Sequence, residues 1–301
     1  MLSRRQRFYL FKLLSLFSVV RGYNILIITL AQYLTAIYIL APDWPLRKVV
    51  FDLNLFFIVT ASALVIAAGY IINNFYDAEK DLINKPTKSM LDRLVSQRFK
   101  LTTYFVLNFL AVFAASYISF RAVLFFSVYI FGIWLYSHKL KRVPFLGNLV
   151  SAILAITPFF AVFVYYKNFE TVIFVHAIFL FLLILAREMI KDLENMAGDI
   201  AQDYKTIPII YGQRVSKILI GFLVMLTLIP AGLLISKFRI GYMYLYFGSA
   251  ILLLMLFIFL LVKSTAKKHY VWLHNILKFI IVVGVFSILL LDVDLVLNRI
   301  L

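Results

Sequence analysis

Nine apolar stretches, each near twenty residues long, leave this chain few ways to fold. They fall roughly at 20–40, 54–74, 101–119, 122–137, 147–166, 171–190, 217–236, 243–263 and 272–292. A helix rises 1.5 Å per residue, so about twenty residues cross the ~30 Å hydrocarbon core of a bilayer. Length alone would allow about two soluble domains. With 64% of residues hydrophobic and 15% charged, hydropathy overrides that reading. The expected fold is an all-α polytopic membrane protein, one domain over residues 1–301, in contact with the lipid bilayer throughout.

The charges agree. Of thirty Lys and Arg residues, 22 fall in the arm through Arg21 and in the loops 75–100, 138–146, 187–217 and 263–268. Seven lie in the alternate loops, and Lys278 lies within the last span. Positive charge accumulates on the cytoplasmic side, which puts the N-terminus inside and the C-terminus outside. A net charge of +16 in a soluble chain would suggest nucleic acid. Here the charge serves orientation, and no nucleic-acid partner is expected. The chain has no cysteine, which excludes disulfides and thiolate metal sites. The basic start, residues 1–19, lacks a small-residue cleavage site and does not read as a signal peptide. It reads either as an interfacial amphipathic helix or as a basic arm that orients the first span.

Acidic residues are distributed quite differently. Eight of the fourteen lie within Asp77–Asp81 and Glu188–Asp203, each group following an apolar span. On a continuing helix Asn73, Asp77 and Asp81 share one face, one turn apart. Glu188, Asp192, Asn195, Asp199 and Asp203 advance by four, three, four and four, again one face. Two oxygen-rich faces at the cytoplasmic ends of membrane helices suit hard divalent cations, and through them a diphosphate.

Smaller polar islands flank these groups. Arg21 stands at the start of the first span, where it either snorkels or serves a site. Asn24, one turn deeper, needs a polar partner inside the bundle. Pro86 ends the helix that follows Asp81, and Lys85, Lys88 and Arg93 come next. Those three are either topological charges or phosphate ligands. A third island, Y-S-H-K-L-K-R-V-P-F-L-G-N, gathers Tyr136, Lys139, Lys141 and Asn148 within thirteen residues. His138 has no ligand partner at metal spacing and reads as interfacial.

The stretch G-Y-I-I-N-N-F-Y-D-A-E-K-D-L-I-N-K-P resembles the first signature of the UbiA-type intramembrane prenyltransferases. R-E-M-I-K-D-L-E-N-M-A-G-D resembles the second, and the Tyr136–Asn148 island resembles the segment between them. Span count, orientation and motif order also match, so the resemblance covers essentially the whole chain. Three departures stand out: Asn74 and Asn195 where the family often has Asp, and Lys88-Ser89 where Arg-Pro is usual. The resemblance implies nine helices around a central cavity capped by cytoplasmic loops, in a bacterial or archaeal plasma membrane.

It also implies a mechanism. Mg²⁺ would be held among Asn73, Asp77, Asp81, Asp192, Asn195, Asp199 and Asp203. Asp77, Asp81, Asp192 and Asp199, with Lys141 and Tyr136, are the catalytic candidates. Arg21, Asn24, Lys85, Lys88, Lys139, Asn148 and Lys191 are the substrate-binding candidates. Loss of diphosphate from an isoprenyl diphosphate would leave an allylic cation, sheltered from water by the bundle and captured by a lipophilic acceptor. The motif wording is closest to the branch that alkylates prenylglyceryl phosphates to make ether lipids. Branches with aromatic acceptors, such as those making quinones, are the alternative. A cation-coupled transporter would favour broken helices and sites at the bilayer midplane; here the acids sit at helix ends beside lysines. Nothing in the pattern specifies an oligomeric state.

Overall fold

The computed structural model describes residues 15–293. Among them, nine helices are long and apolar enough to cross a membrane. We label the helices used below α1 (Gly22–Thr35), α2 (Leu53–Tyr76), α3 (Ala78–Asn84), α4 (Pro86–Asp92), α5 (Gln97–Ser116) and α6 (Phe120–His138). They continue as α7 (Leu146–Tyr166), α8 (Thr171–Ala201), α9 (Gly212–Lys237), α10 (Met243–Lys263) and α11 (Lys267–Ser287). The first span is completed by a π-helical turn at Ala36–Leu40. The all-α, nine-span expectation holds. The expected amphipathic segment at the extreme N-terminus lies mostly outside the described residues.

Two large hydrophobic cores organise the bundle, with a small third one at Val19, Ala68, Ile71, Ile72 and Tyr104. One joins the π turn, α2, α5, α6 and α7; the other joins α8 to α11. Lipid tails are as apolar as side chains, so helices associate through close packing and polar bonds, not through escape from water. Ala61 of α2 and Ala111 and Ala115 of α5 are fully buried, which lets those backbones approach. Gln32 of α1 donates to Ser62 Oγ at 3.2 Å and to Pro158 O at 2.9 Å, tying three spans together. Pro158 sits inside α7 and has no N–H to offer the Leu154 carbonyl one turn back. Tyr129 of α6 supplies the missing donor, its hydroxyl 3.0 Å from Leu154 O.

Two helices depart from their expected limits in ways that build the site. At 31 residues, α8 is about 46 Å long, well beyond the ~30 Å hydrocarbon core. It carries the second acidic motif as a rigid extension of a span. The first motif is not on one unbroken helix. α2 ends at Tyr76, Asp77 adopts φ −91° and ψ 4°, and α3 starts at Ala78. Pro86 then occupies the first turn of α4, where its missing N–H costs nothing.

Candidate active site

α3 lies antiparallel along the C-terminal end of α8. Lys80 Nζ is 2.8 Å from Asp199 Oδ1, and Lys85 Nζ is 3.6 Å from Glu194 Oε1. Between these pairs, Asn84 donates to Asn195 O at 3.1 Å and accepts from Gly198 N–H at 3.1 Å. This contact requires glycine at 198. A Cβ there would stand 2.3 Å from Asn84 Nδ2 and 2.9 Å from the Lys80 carbonyl oxygen.

The two motifs thereby face each other across one polar cavity. Its walls include Arg21, Asn73, Asp77, Lys80, Asp81, Lys85, Tyr136, Lys141, Asn148, Glu188, Lys191, Asp192 and Asn195. Lys141 enters from the α6–α7 connection and reaches Asp77 Oδ1 at 2.7 Å, with Asn73 Oδ1 at 3.5 Å. Tyr204 donates to the same Asp77 oxygen at 3.2 Å. Asn148, one residue after the buried Gly147, donates to Asp192 Oδ2 at 2.7 Å. Glu188 accepts from Lys191 at 2.9 Å and from Ser151 at 3.0 Å, and Arg187 stands 3.5 Å away.

Burial works against ionisation of Asp77, but the Lys141 and Lys80 charges outweigh it and hold the carboxyl below its usual value. Burial also disfavours the Lys80 ammonium. Asp77 and Asp199 reverse that and raise it above the ordinary lysine value. The site therefore holds charge of both signs in close pairs. Among the described residues, no three acidic, His or Cys side chains converge as a ready metal cage. Lys141 and Lys80 are bound to the acids that would form one. The donors are nonetheless all hard oxygens, and Asn195 Oδ1 is buried with no hydrogen-bond partner. That chemistry fits a divalent cation.

The structure thus gathers most of the residues expected from sequence. Four take other places. Asp203 does not continue the α8 face, because the helix ends at Ala201 and Asp203 turns away in the left-handed region at φ 52°. Lys139 caps α6 and points to the exterior. Lys88 pairs with Asp92 at 3.8 Å, away from the cavity wall. Asn24 finds its polar partner in Tyr70, whose hydroxyl is 3.1 Å from its amide. Asn74, one of the departures from the motif, donates to Asp92 at 2.9 Å and takes no part in the cavity. Conversely, sequence reasoning passed over Lys80 and Tyr204. Lys80 was legible as the residue one turn after Asp77. Tyr204 follows a helix end and carries no periodic signal.

A second, apolar cavity lies between α1, α7, α8, α10 and α11, lined by Thr35, Phe159, Phe163, Leu180, Phe247 and Gly284 among others.

The profile of the UbiA prenyltransferase family matches residues 25–282. A digeranylgeranylglyceryl phosphate synthase of Thermococcus sibiricus is 37% identical over 174 residues, 58% of this chain and 61% of that one. A synthase of the same name from Thermococcus gammatolerans is 30% identical over 225 residues, covering 74% and 80%. A UbiA homologue from Archaeoglobus fulgidus, bound to GPP and Mg²⁺, superposes with a TM-score of 0.66 at 14% identity, over 91% of this chain and 99% of that one. Nine helices, two facing acidic motifs and a match across most of the chain lead to one conclusion: the protein is a member of the UbiA prenyltransferase family.

Proposed function

We propose that the chain transfers a prenyl group from an isoprenyl diphosphate to a prenylglyceryl phosphate in the membrane, forming an ether lipid. The observation that carries this reading is the polar cavity, where Asn73, Asp77 and Asp81 face Asp192 and Asn195 with Lys80 and Lys141 between them. The names of the two Thermococcus relatives support the choice of acceptor.

Asn73, Asp77, Asp81, Asp192, Asn195 and Asp199 would hold Mg²⁺, which supplies positive charge to the diphosphate as its ester bond breaks. Asp203 is left out because of its place beyond α8. Lys141 and Lys80, held by carboxylates in the resting site, turn toward the phosphate oxygens and add charge-assisted hydrogen bonds. Asn148 and Thr206 fix Asp192 and Asp199 in place. The C–O bond breaks with its electron pair leaving on the diphosphate, the acceptor hydroxyl oxygen forms the ether bond, and its proton passes to the released diphosphate. Tyr136 also lines the polar cavity and would face the allylic carbon. The apolar cavity takes the prenyl tails and keeps water from the cation.

The Lys/Arg asymmetry supports a cytoplasmic opening of the site, with the N-terminus inside and the C-terminus outside. The archaeal sources of the relatives support an archaeal plasma membrane. Both halves of the bundle contribute to one cavity, which is why we read the chain as a single catalytic domain.

The test is mass spectrometry of products after geranylgeranyl diphosphate is offered with a panel of glycerol-phosphate and aromatic acceptors, with and without Mg²⁺. Mg²⁺-dependent diphosphate release with a glyceryl ether product is expected. Prenylation of aromatic acceptors alone would refute the acceptor assignment, and absence of transfer to any acceptor would refute the activity.

A further inference from the structure

Three walls of the polar cavity come from separate pieces of chain. Arg21 precedes α1, Asn73 and Asp77 lie at the end of α2, and Asp81 and Lys85 lie on and just after α3. α3 is fixed to α8 through Asn84 and Gly198. Its place relative to α2 and to Arg21 is set elsewhere, at Asp92, the last residue of α4, which lines neither cavity.

Asp92 is 3% exposed, and donors from three places converge on its carboxylate. Asn74 Nδ2 of α2 donates to Oδ2 at 2.9 Å, Ser18 Oγ donates to Oδ1 at 3.1 Å, and Lys88 Nζ is 3.8 Å from Oδ2. Lys100 of α5, itself buried, adds an opposing charge. The residue before Asp92 contributes another bond, with Ser15 Oγ donating to Leu91 O at 2.7 Å. Hydrogen bonds to an ionised acceptor are short and strong, so this carboxylate holds its partners firmly.

Each contact reaches a cavity wall by a short route. Ser18 O accepts from Arg21 N–H at 3.2 Å, closing the turn in which Arg21 takes φ 51° and ψ 53°. That left-handed conformation is costly for a residue with a side chain and persists only where its surroundings fix it. Asn74 follows Asn73, whose Oδ1 faces Lys141 at 3.5 Å. Asn74 Oδ1 is buried with no partner, so among the described residues Asp92 alone holds this side chain by hydrogen bonding. Asp92 itself ends the helix that begins one residue after Lys85.

We propose that Asp92 is a positioning residue for prenyl transfer. It locks the α3–α4 segment, the end of α2 and the turn before α1 in the one arrangement that closes the polar cavity around a diphosphate. The amide at 74 is the complement of this buried acid and not a weakened metal ligand. The proposal deepens the reading of the cavity given above and rests on it.

The experiment is a reciprocal exchange. Asn74→Asp sets two carboxylates against each other where a donor stood, and Asp92→Asn removes the acid. The two together restore one amide–carboxylate bond with its partners reversed. Asn74→Asp should raise KM for geranylgeranyl diphosphate about ten- to hundredfold, the scale of a 1 Å misplacement, and speed hydrogen exchange at the amides of residues 87–93. Asp92→Asn should do less, because its amide oxygen still accepts from Asn74. The double variant should recover most of both properties. Glu79→Gln is the control, since it breaks only the exposed 3.3 Å pair with Arg93 on the same segment. If Asn74→Asp does not fold, recovery of fold and KM on adding Asp92→Asn carries the same conclusion. A fall in kcat with KM unchanged would make Asp92 merely structural, and a double variant no better than Asn74→Asp would overturn the tie. A lower Mg²⁺ requirement in Asn74→Asp would make position 74 a metal ligand and overturn it as well. Absence of transfer by the wild type would refute the reading of the cavity, whereas unchanged exchange at 87–93 in Asn74→Asp would refute the tie itself.

Discussion

Gly198→Ala isolates the contact on which the two motifs depend. In a helix the change by itself favours alanine by about 1 kcal/mol. Here the new methyl would meet Asn84 Nδ2 at 2.3 Å, Asn84 Cγ at 2.8 Å and Lys80 O at 2.9 Å. The amide could rotate away, but only by giving up its bonds to Asn195 O and Gly198 N–H, each worth about 0.5–1.5 kcal/mol. The Lys80 carbonyl belongs to α3 and moves only with that helix, an overpacking cost of about 1–3 kcal/mol. The balance is a loss of roughly 1–5 kcal/mol. The larger effect is on catalysis. If α3 yields by about 1 Å, Lys80 and Asp81 leave their positions, and such a misplacement can cost about a hundredfold. The assay is prenyl transfer at saturating Mg²⁺, with the thermal midpoint of the solubilised protein measured in parallel. Gly221→Ala is the reference, because nothing lies within 4 Å of its Cβ position; it should be neutral or slightly stabilising. Adding Asn84→Ala to Gly198→Ala should recover some stability by removing the amide clash, without recovering full activity. If Gly198→Ala matches Gly221→Ala in both rate and stability, the close approach of α3 to α8 is not what aligns the motifs.

Three further outcomes are expected. Asp77→Ala or Asp192→Ala should abolish turnover while the protein inserts and folds; near-normal rates from either at saturating Mg²⁺ would remove the metal assignment. Lys141→Met should lower turnover about ten- to hundredfold, since it removes a charged hydrogen bond to the diphosphate and strands Asp77. Lys263→Met, exposed on the same side beside Phe259, should not, and equal rates would reduce Lys141 to a topological charge. Single cysteines at Ser89 and Gln202 should be labelled only from the cytoplasmic face and one at Asn168 only from outside; labelling of 89 and 202 from opposite faces would mean a miscounted span.

The spans were legible because membrane insertion is written in composition over twenty residues. α10 ends where hydropathy ends, at Met243 and Lys263. α8 was read eleven residues short, since hydropathy stops where the lipid does and the helix does not. The acids were legible for the same reason they are conspicuous: a chain with fourteen of them placed eight in two short stretches. Their partners were less so. Whether Lys85 or Lys88 enters the cavity depends on the break at Asp77 and the turn at Pro86. A loop's helical phase after such a break is fixed by tertiary contact, here Asn84 against Gly198. Asp203 shows the reverse failure. Its spacing fits the α8 face, but the helix ends two residues earlier, and spacing alone carries no stop signal without Gly or Pro.

The bond from Tyr129 to Leu154 also bears on how this sequence can change with time. In hydrocarbon no water can take the place of a lost partner. Tyr129→Phe alone leaves the Leu154 carbonyl bare, and replacing Pro158 alone restores the helix bond and makes the tyrosine hydroxyl surplus. Positions 129 and 158 lie on different helices and line neither cavity, yet a change at one alters what the other must supply. Among descendants of this chain, a phenylalanine at 129 should be found where the proline at 158 has already gone.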